Sequence, residues 1–362
     1  MTTRHTSDQG DASIVATAMK ALALFRSGAI HDGIELYKQV LNAEYDLRKD
    51  MPVALHLRFL ENMGLNDVAA TIRLDAIRAG QNLCVNAQLG KPPLEVLSEY
   101  RELFAQGIVN SVMVADFLIE LSKFGETTEL ASFLDVNRFV RCAELSITDD
   151  GICGEKFWEA IAASLLERRT DHNWQEGAGS IAGRRMAQSV RGMHYISRLE
   201  QYDDKRIQRS LSEIIRHVDC YVADLRTNGW GILPWIPQKY RITSWALISS
   251  GYGYNVPHFH HRGWFTGVLY IAGPNEIGPD GYPVGALRIG PPEVAPNAVG
   301  WPDFAIAPKP GRLVLFPSYF THWTVPLGKP ALRISIAFDV VDLRIAADGV
   351  QVPVSSAIVP LP

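Results

Sequence analysis

Four of the ten histidines, His258, His260, His261 and His322, fall in the last third of the chain, and three of them have a spacing that could hold a metal. Imidazole is the commonest protein ligand for transition metals and also moves protons near neutral pH. In the segment "PHFHH", residues two apart on an extended chain point to the same side, so His258 and His260 converge while Phe259 and His261 face the other way. His261 is therefore the dispensable member. His322 follows a strand-like run, "GRLVLFP", 64 residues after His258, far enough to return on a neighbouring strand. Eleven residues further on, "ALRISIAF" puts Arg333 and Ser335 on one face and Ile334 and Ile336 on the other. A guanidinium turned into an apolar barrel is costly without an anion, and its planar fork matches a carboxylate. No acidic residue within that run is an evident partner, so a bound organic acid is a natural one. The plain alternative is an arginine in solvent and three ordinary core histidines.

These residues sit in a part of the chain built by different rules from the rest. Of the 21 prolines, 18 lie beyond Trp230, which places a composition boundary there. After it, short β-rich runs alternate with Gly/Pro turns: "ITSWALISS", "WFTGVLYIA", "GALRIG", "GRLVLFP" and "LRISIAFDVV". Such punctuation suits a closed or double-sheet antiparallel architecture, a jelly roll. Before it, Asp204 to Asn228 carries an apolar stripe of Ile207, Leu211, Ile214, Ile215, Val218, Val222 and Leu225, which predicts a helix covering a sheet. From Ile14 to about Leu145 the apolar residues recur at helical spacing. Sequence around Gly28 is echoed around Gly64, 36 residues on, and more loosely around Gly125, which reads as a tetratricopeptide-type repeat or as an irregular bundle. As a repeat it would serve packing, dimerisation or peptide binding.

The segment from about Trp174 to Val341 resembles the iron(II)/2-oxoglutarate-dependent oxygenase superfamily, in the branch with a His-x-His motif. The resemblance rests on "HFH" at 258–260, "TGVLY" at 266–270, "PKPGRLVLFP" at 308–317, His322 and "RISIAF" at 333–338. It implies a double-stranded β-helix with iron(II) at His258, His260 and His322, and 2-oxoglutarate meeting Arg333 and Ser335 through its distal carboxylate. It also implies consumption of O2, release of succinate, and hydroxylation as the usual outcome. Most of the superfamily has a carboxylate where His260 stands, completing two histidines and one acid. The change leaves the site one negative charge short. Asp303 and Asp339 are the acids that could substitute, with Asp339 expected on the wrong side of a strand end.

Further candidates surround this set. Tyr252, Tyr254 and Asn255 could touch the co-substrate or merely shape the turn "SGYGYN". Arg262, Trp264, Tyr270 and Arg288 are catalytic or substrate candidates, Arg288 being either an inner contact or an outer charge. The loops Pro274–Pro283 and Pro291–Pro308 are long enough to close over a site.

The expected fold class is α+β: residues 1–13 a disordered tail, 14–145 a helical, tetratricopeptide-like region, and 146–362 a jelly-roll oxygenase domain with flanking helices and a β-core at about 240–342. The expected substrate is a residue of a peptide or protein, a free amino acid or a natural product. Two other readings compete. A cupin-type three-histidine metalloenzyme would not use 2-oxoglutarate, but it normally places a glutamate shortly after His-x-His, and here Gly263 and Trp264 stand there. A non-catalytic helical scaffold with a degenerate barrel is the other.

With 47% hydrophobic and 20% charged residues over 362 positions, the chain can bury a real core, which excludes wholesale disorder. A net charge of −4 argues against nucleic acid as a partner. No long apolar run marks a membrane segment, and the start lacks a signal-peptide pattern, so a cytoplasmic location is expected. The cysteines Cys84, Cys142, Cys153 and Cys220 have no CxxC spacing and read as reduced core residues.

Overall fold

The computed structural model describes residues 93–168, 190–228 and 236–342, apart from short breaks at 126, 150, 238, 250–252, 261–262 and 293–295, with scattered residues between 16 and 73. The expected tail, the echo around Gly64, and Cys84, Tyr252, His261 and Arg262 lie outside the described residues.

Contacts divide the chain into two units, one of which is Val109–Asp342. In the other, the helix Pro93–Ala105 buries Val96, Leu97 and Tyr100 at helical spacing, with the Tyr100 and Phe104 rings 5.8 Å apart. The division falls earlier than the Leu145 boundary read from the sequence. The reason is that the segment after Val109 is tied into the barrel. Its helix Ser111–Phe124 starts on Asn110, whose side chain accepts from Met113 N, and stops at Gly125 in the left-handed region. Ser111 Oγ donates to Gly263 O, and Tyr319 Oη donates to Phe133 O at 3.1 Å. The strand β1 (Arg141–Glu144) then joins the main sheet, with Glu144 opposite Arg312 and ion-paired to it at 2.7 Å.

Twelve strands follow β1. They are β2 (Thr148–Asp149), β3 (Ile152–Cys153), β4 (Val190–Arg191), β5 (His194–Ser197), β6 (Tyr240–Ser249), β7 (Tyr254–Asn255), β8 (Phe265–Ala272), β9 (Leu287–Ile289), β10 (Phe304–Ile306), β11 (Arg312–Pro317), β12 (His322–Thr324) and β13 (Arg333–Asp342). The main sheet has the order β1-β11-β8-β13-β6-β5, antiparallel throughout, and a smaller antiparallel sheet has the order β10-β9-β12. Side chains of both sheets line one pocket, among them Leu247, Val268 and Ser335 from the first and Leu287, His322 and Thr324 from the second. That is the two-sheet arrangement of a jelly roll.

Both faces of the central strands are covered, which is why β8 and β13 read as nearly continuous apolar runs rather than strict alternations. One face packs on helices. The helix Lys205–Thr227 begins on Asp204, which accepts from Arg206 N and Ile207 N, and buries Ile207, Leu211, Ile214, Val218, Val222 and Leu225. It also buries Tyr221, whose ring meets Phe265 edge-on at 5.2 Å and whose hydroxyl donates to Phe139 O at 2.7 Å. Ile215, one residue round from Ile214, is 45% exposed and falls off the stripe. A core truncation such as Ile336→Ala would cost about 2–5 kcal/mol. Cys142, Cys153 and Cys220 are free but exposed, so they are not the core residues expected: they lie on short edge strands and the outer side of a helix.

Candidate metal and 2-oxoglutarate site

Extended backbone delivers the histidines. His258 forms an isolated antiparallel bridge with His322, each N–H donating to the other's carbonyl at 3.0 and 2.9 Å, and His260 N donates to Ser318 O at 2.9 Å. The segment is thus a bridged extended chain rather than a named strand, yet the period of two holds. His258, His260 and His322 bring a ring nitrogen each to within 4.8 Å of one another. Their ring centroids lie 4.4 to 5.2 Å apart, with Phe316 edge-on to His322 at 4.9 Å.

The hydrogen bonds fix which nitrogen is free. His258 Nδ1 lies 2.8 Å from Val256 O, and His322 Nδ1 lies 2.9 Å from Phe320 O. A carbonyl only accepts, so Nδ1 carries the proton in both and Nε2 presents its lone pair to the pocket. His260 Nδ1 faces the Asp339 carboxylate at 2.5 Å, with Thr266 Oγ1 at 3.1 Å. His258 Nε2 and His260 Nε2 then stand 3.3 Å apart. Two ring nitrogens so placed need a proton or a cation between them. Burial, followed by the neighbouring His260, pulls His258 down to about 3, and burial pulls His322 well below its usual value. Both are therefore neutral near pH 7 and open to a metal ion. Imidazole nitrogens suit iron(II), as they do zinc, copper and nickel.

At the other end of the pocket, polar groups are left wanting. Arg333 is 3% exposed; its Nε donates to Gly285 O at 3.0 Å, but Nη1 has no hydrogen-bond partner, and neither has Ser335 Oγ or the Tyr270 hydroxyl. Buried donors are normally satisfied, at about 1–3 kcal/mol each when they are not. Arg333 and Ser335 both line the pocket, and a carboxylate fits a guanidinium fork. Tyr270 is brought there by register: it pairs with Ser335 across β8 and β13, at a bulge between Ile334 and Ser335, and its ring lies 5.3 Å from the guanidinium carbon. Burial raises the Tyr270 phenol against the pull of the Arg333 charge, keeping its proton. Gly285, at φ +71°, has its carbonyl against Arg333 because it lacks a side chain: a Cβ would sit 3.2 Å from Arg333 Cδ and 3.0 Å from Leu327.

The other candidates divide. Asn255 is buried and lines the pocket with Arg333 and Ser335; Tyr254, beside it on β7, faces Arg191 of β4 and does not. Trp264 is buried outside the pocket lining, its backbone bridging Val340 and Ser318. Arg288 takes the outer of its two expected positions. It is bidentate to Asp303, at 2.9 Å for both bonds, and lies over Tyr282 and Trp323 at 4.0 and 5.2 Å, so Asp303 is also committed away from the histidines. Asp339 departs from expectation. It shares the face of Arg333, Ser335 and Ala337, as the period of two requires, and reaches His260 from behind. Trp245, stacked on His260 at 5.8 Å, had no motif to flag it, and Thr266 stood at the head of the "TGVLY" motif with no role assigned.

A pocket with a three-histidine metal site at one end and an unsatisfied arginine at the other defines a class: a metalloenzyme using a carboxylate co-substrate. Comparison with known proteins bears on the same part of the chain. Residues 243–339, which hold every member of the site, match the family described as "Putative 2OG-Fe(II) oxygenase". Solved structures with a similar chain trace include a Pseudomonas putida prolyl-4-hydroxylase (13% identity, TM-score 0.39, covering 57% of this chain and 95% of that one). Another is a Trichoplax adhaerens prolyl hydroxylase in complex with a hypoxia-inducible-factor peptide fragment (16%, 0.41, 61% and 92%). The epimerase SnoN in complex with Fe3+, alpha ketoglutarate and nogalamycin RO is a third (13%, 0.39, 66% and 94%). A search of curated proteins gives no match. The barrel is that of a 2-oxoglutarate-dependent oxygenase, with iron(II) and 2-oxoglutarate as its cofactor and co-substrate.

Proposed function

We propose that the protein hydroxylates an unactivated C–H bond in an amino-acid residue of a peptide or protein, or in a free amino acid or natural product. The observation that carries the reading is the pairing, in one pocket, of three converging Nε2 lone pairs with Arg333 Nη1 and Ser335 Oγ, which have no hydrogen-bond partner, and with Tyr270 buried beside the guanidinium. When bound, iron(II) with 2-oxoglutarate and O2 supplies the oxidising power, one oxygen atom entering the substrate and the other the succinate left after loss of CO2.

The chain's own residues do the rest. His258, His260 and His322 would hold the metal through Nε2. Arg333 would take the distal carboxylate in a fork, with Ser335 and Tyr270 donating alongside, and so fix the co-substrate's direction. Trp245, Leu247, Leu287, Phe316 and Trp323 give the pocket apolar walls that exclude water and suit a carbon-rich reacting end. Arg333 also separates this reading from a three-histidine enzyme without 2-oxoglutarate, in which a buried guanidinium with Nη1 left over has no purpose.

The helical region before the barrel is offered as the element that presents a peptide or joins two copies, and the location as cytoplasmic. The test is consumption of 2-oxoglutarate against pools of peptides and small metabolites under air, with iron(II) present. Expected are stoichiometric succinate and a product heavier by one oxygen atom. Turnover of an organic substrate that is indifferent to 2-oxoglutarate would overturn the reading.

A further inference from the structure

Of the three histidines, only His260 is backed by a charge. His258 and His322 give their Nδ1 protons to backbone carbonyls two residues away, Val256 O and Phe320 O. His260 faces the Asp339 carboxylate at 2.5 Å, and both side chains are 12% exposed. The neighbouring hydroxyl settles the proton's position. Thr266 Oγ1 donates to Phe338 O at 2.9 Å, so towards His260 Nδ1, 3.1 Å away, it acts as acceptor. Nδ1 therefore carries a hydrogen, directed at Asp339 and Thr266 together, and Nε2 faces the pocket. Trp245, stacked on the ring at 29°, holds the imidazole plane.

Resting on the oxygenase reading above, we propose that Asp339 is a positioning residue for the metal: it restores, one hydrogen bond further out, the negative charge that His260 removes from the ligand set. Three neutral imidazoles bring no charge to a divalent cation in an apolar pocket, and a carboxylate on Nδ1 makes the imidazole a stronger donor while locking its tautomer. The strand supplies the means. Arg333, Ser335, Ala337 and Asp339 lie on one face of β13, so a single strand carries the anion grip at one end and the charge compensation at the other. Asp339 acts through His260 and touches neither the co-substrate pocket nor the other two histidines.

The experiment compares the full-length protein with Asp339→Asn, which keeps size and loses charge. Iron(II) affinity is measured anaerobically by competition with a chromogenic chelator, beside thermal melting of the metal-free forms. The expected result is an affinity about 10- to 100-fold weaker in the variant. A folded variant with unchanged affinity overturns the proposal. Cobalt(II)-loaded wild type gives a second readout, independent of whether the variant folds: three exchangeable, hyperfine-shifted imidazole N–H resonances are expected, and fewer than three would contradict the fixed His260 tautomer. In a folded variant, one of the three should move and the two held by carbonyls should stay. Failure of the wild type to bind iron(II) or cobalt(II) at all would instead strike the oxygenase reading, on which the proposal depends.

Discussion

The two ends of the pocket are finished to different degrees. At the histidine end every Nδ1 has an acceptor, so the ring atoms left facing the pocket are the three Nε2 lone pairs that a metal would use. At the arginine end donors are left over, Arg333 Nη1 and Ser335 Oγ, with the Tyr270 hydroxyl buried beside the guanidinium. A surplus of lone pairs asks for a cation and a surplus of donors asks for an anion. The complementary incompleteness, rather than any one residue, identifies what the pocket takes.

Mutations can break that contrast in a graded way. The largest effect belongs to His322→Ala, which removes the most deeply placed of the three ligands; iron(II) should be lost on desalting, and retention of a full equivalent would contradict the assignment. Next, Arg333→Met should weaken 2-oxoglutarate binding about 100-fold, the equivalent of about 3 kcal/mol for charged hydrogen bonds. The same substitution should leave the melting temperature of the free protein unchanged or higher, because an under-satisfied buried guanidinium is replaced by an apolar chain of similar length. A large drop in melting temperature would mean that Arg333 is structural.

A third prediction concerns pH. His258 titrates at about 3 in the fold because of burial, and His322 is lowered for the same first reason, against about 6.5 unfolded. Below pH 6.5 the unfolded chain binds more protons than the native one, so stability falls with pH through the window from about 6.5 towards 3, at up to about 1.4 kcal/mol per unit for each histidine. Melting of the metal-free protein at pH 7.5 and 5.5 should show this loss, and its absence would mean that the pair is not buried and neutral. Ser335→Ala should be milder, about tenfold on 2-oxoglutarate affinity from one hydrogen bond to a carboxylate. Arg288→Ala should be smallest at the site: its guanidinium is spent on Asp303, and 2-oxoglutarate affinity should stay within about twofold.

Much of this was legible in the sequence because it follows from the period of two. The five β-rich runs correspond to β6, β8, β9, β11 and β13, and the same alternation aligns His258 with His260 and Arg333 with Ser335. It also puts Asp339 on the Arg333 face, a consequence of counting on from Ser335 that the expected strand end obscured. The short strands β5, β10 and β12 carry too few residues to show a pattern, and β10 lies within a Pro-rich stretch read as loop. Tyr270 is placed beside Arg333 by a bulge in the β8–β13 register, and no single-strand pattern contains a cross-strand register. The exposure of Ile215 and the burial of Tyr221 show the same limit on a helix: which edge of a stripe is covered depends on what packs there.

The central claim is that one pocket holds iron(II) at the histidines and 2-oxoglutarate at Arg333. The most direct measurement is anaerobic addition of iron(II) and then 2-oxoglutarate to the full-length protein, followed by visible absorption, with Arg333→Met alongside. The account predicts a weak metal-to-ligand charge-transfer band that saturates with 2-oxoglutarate in the wild type and needs about 100-fold more of it in the variant. Iron(II) binding with no band at any 2-oxoglutarate concentration would contradict it.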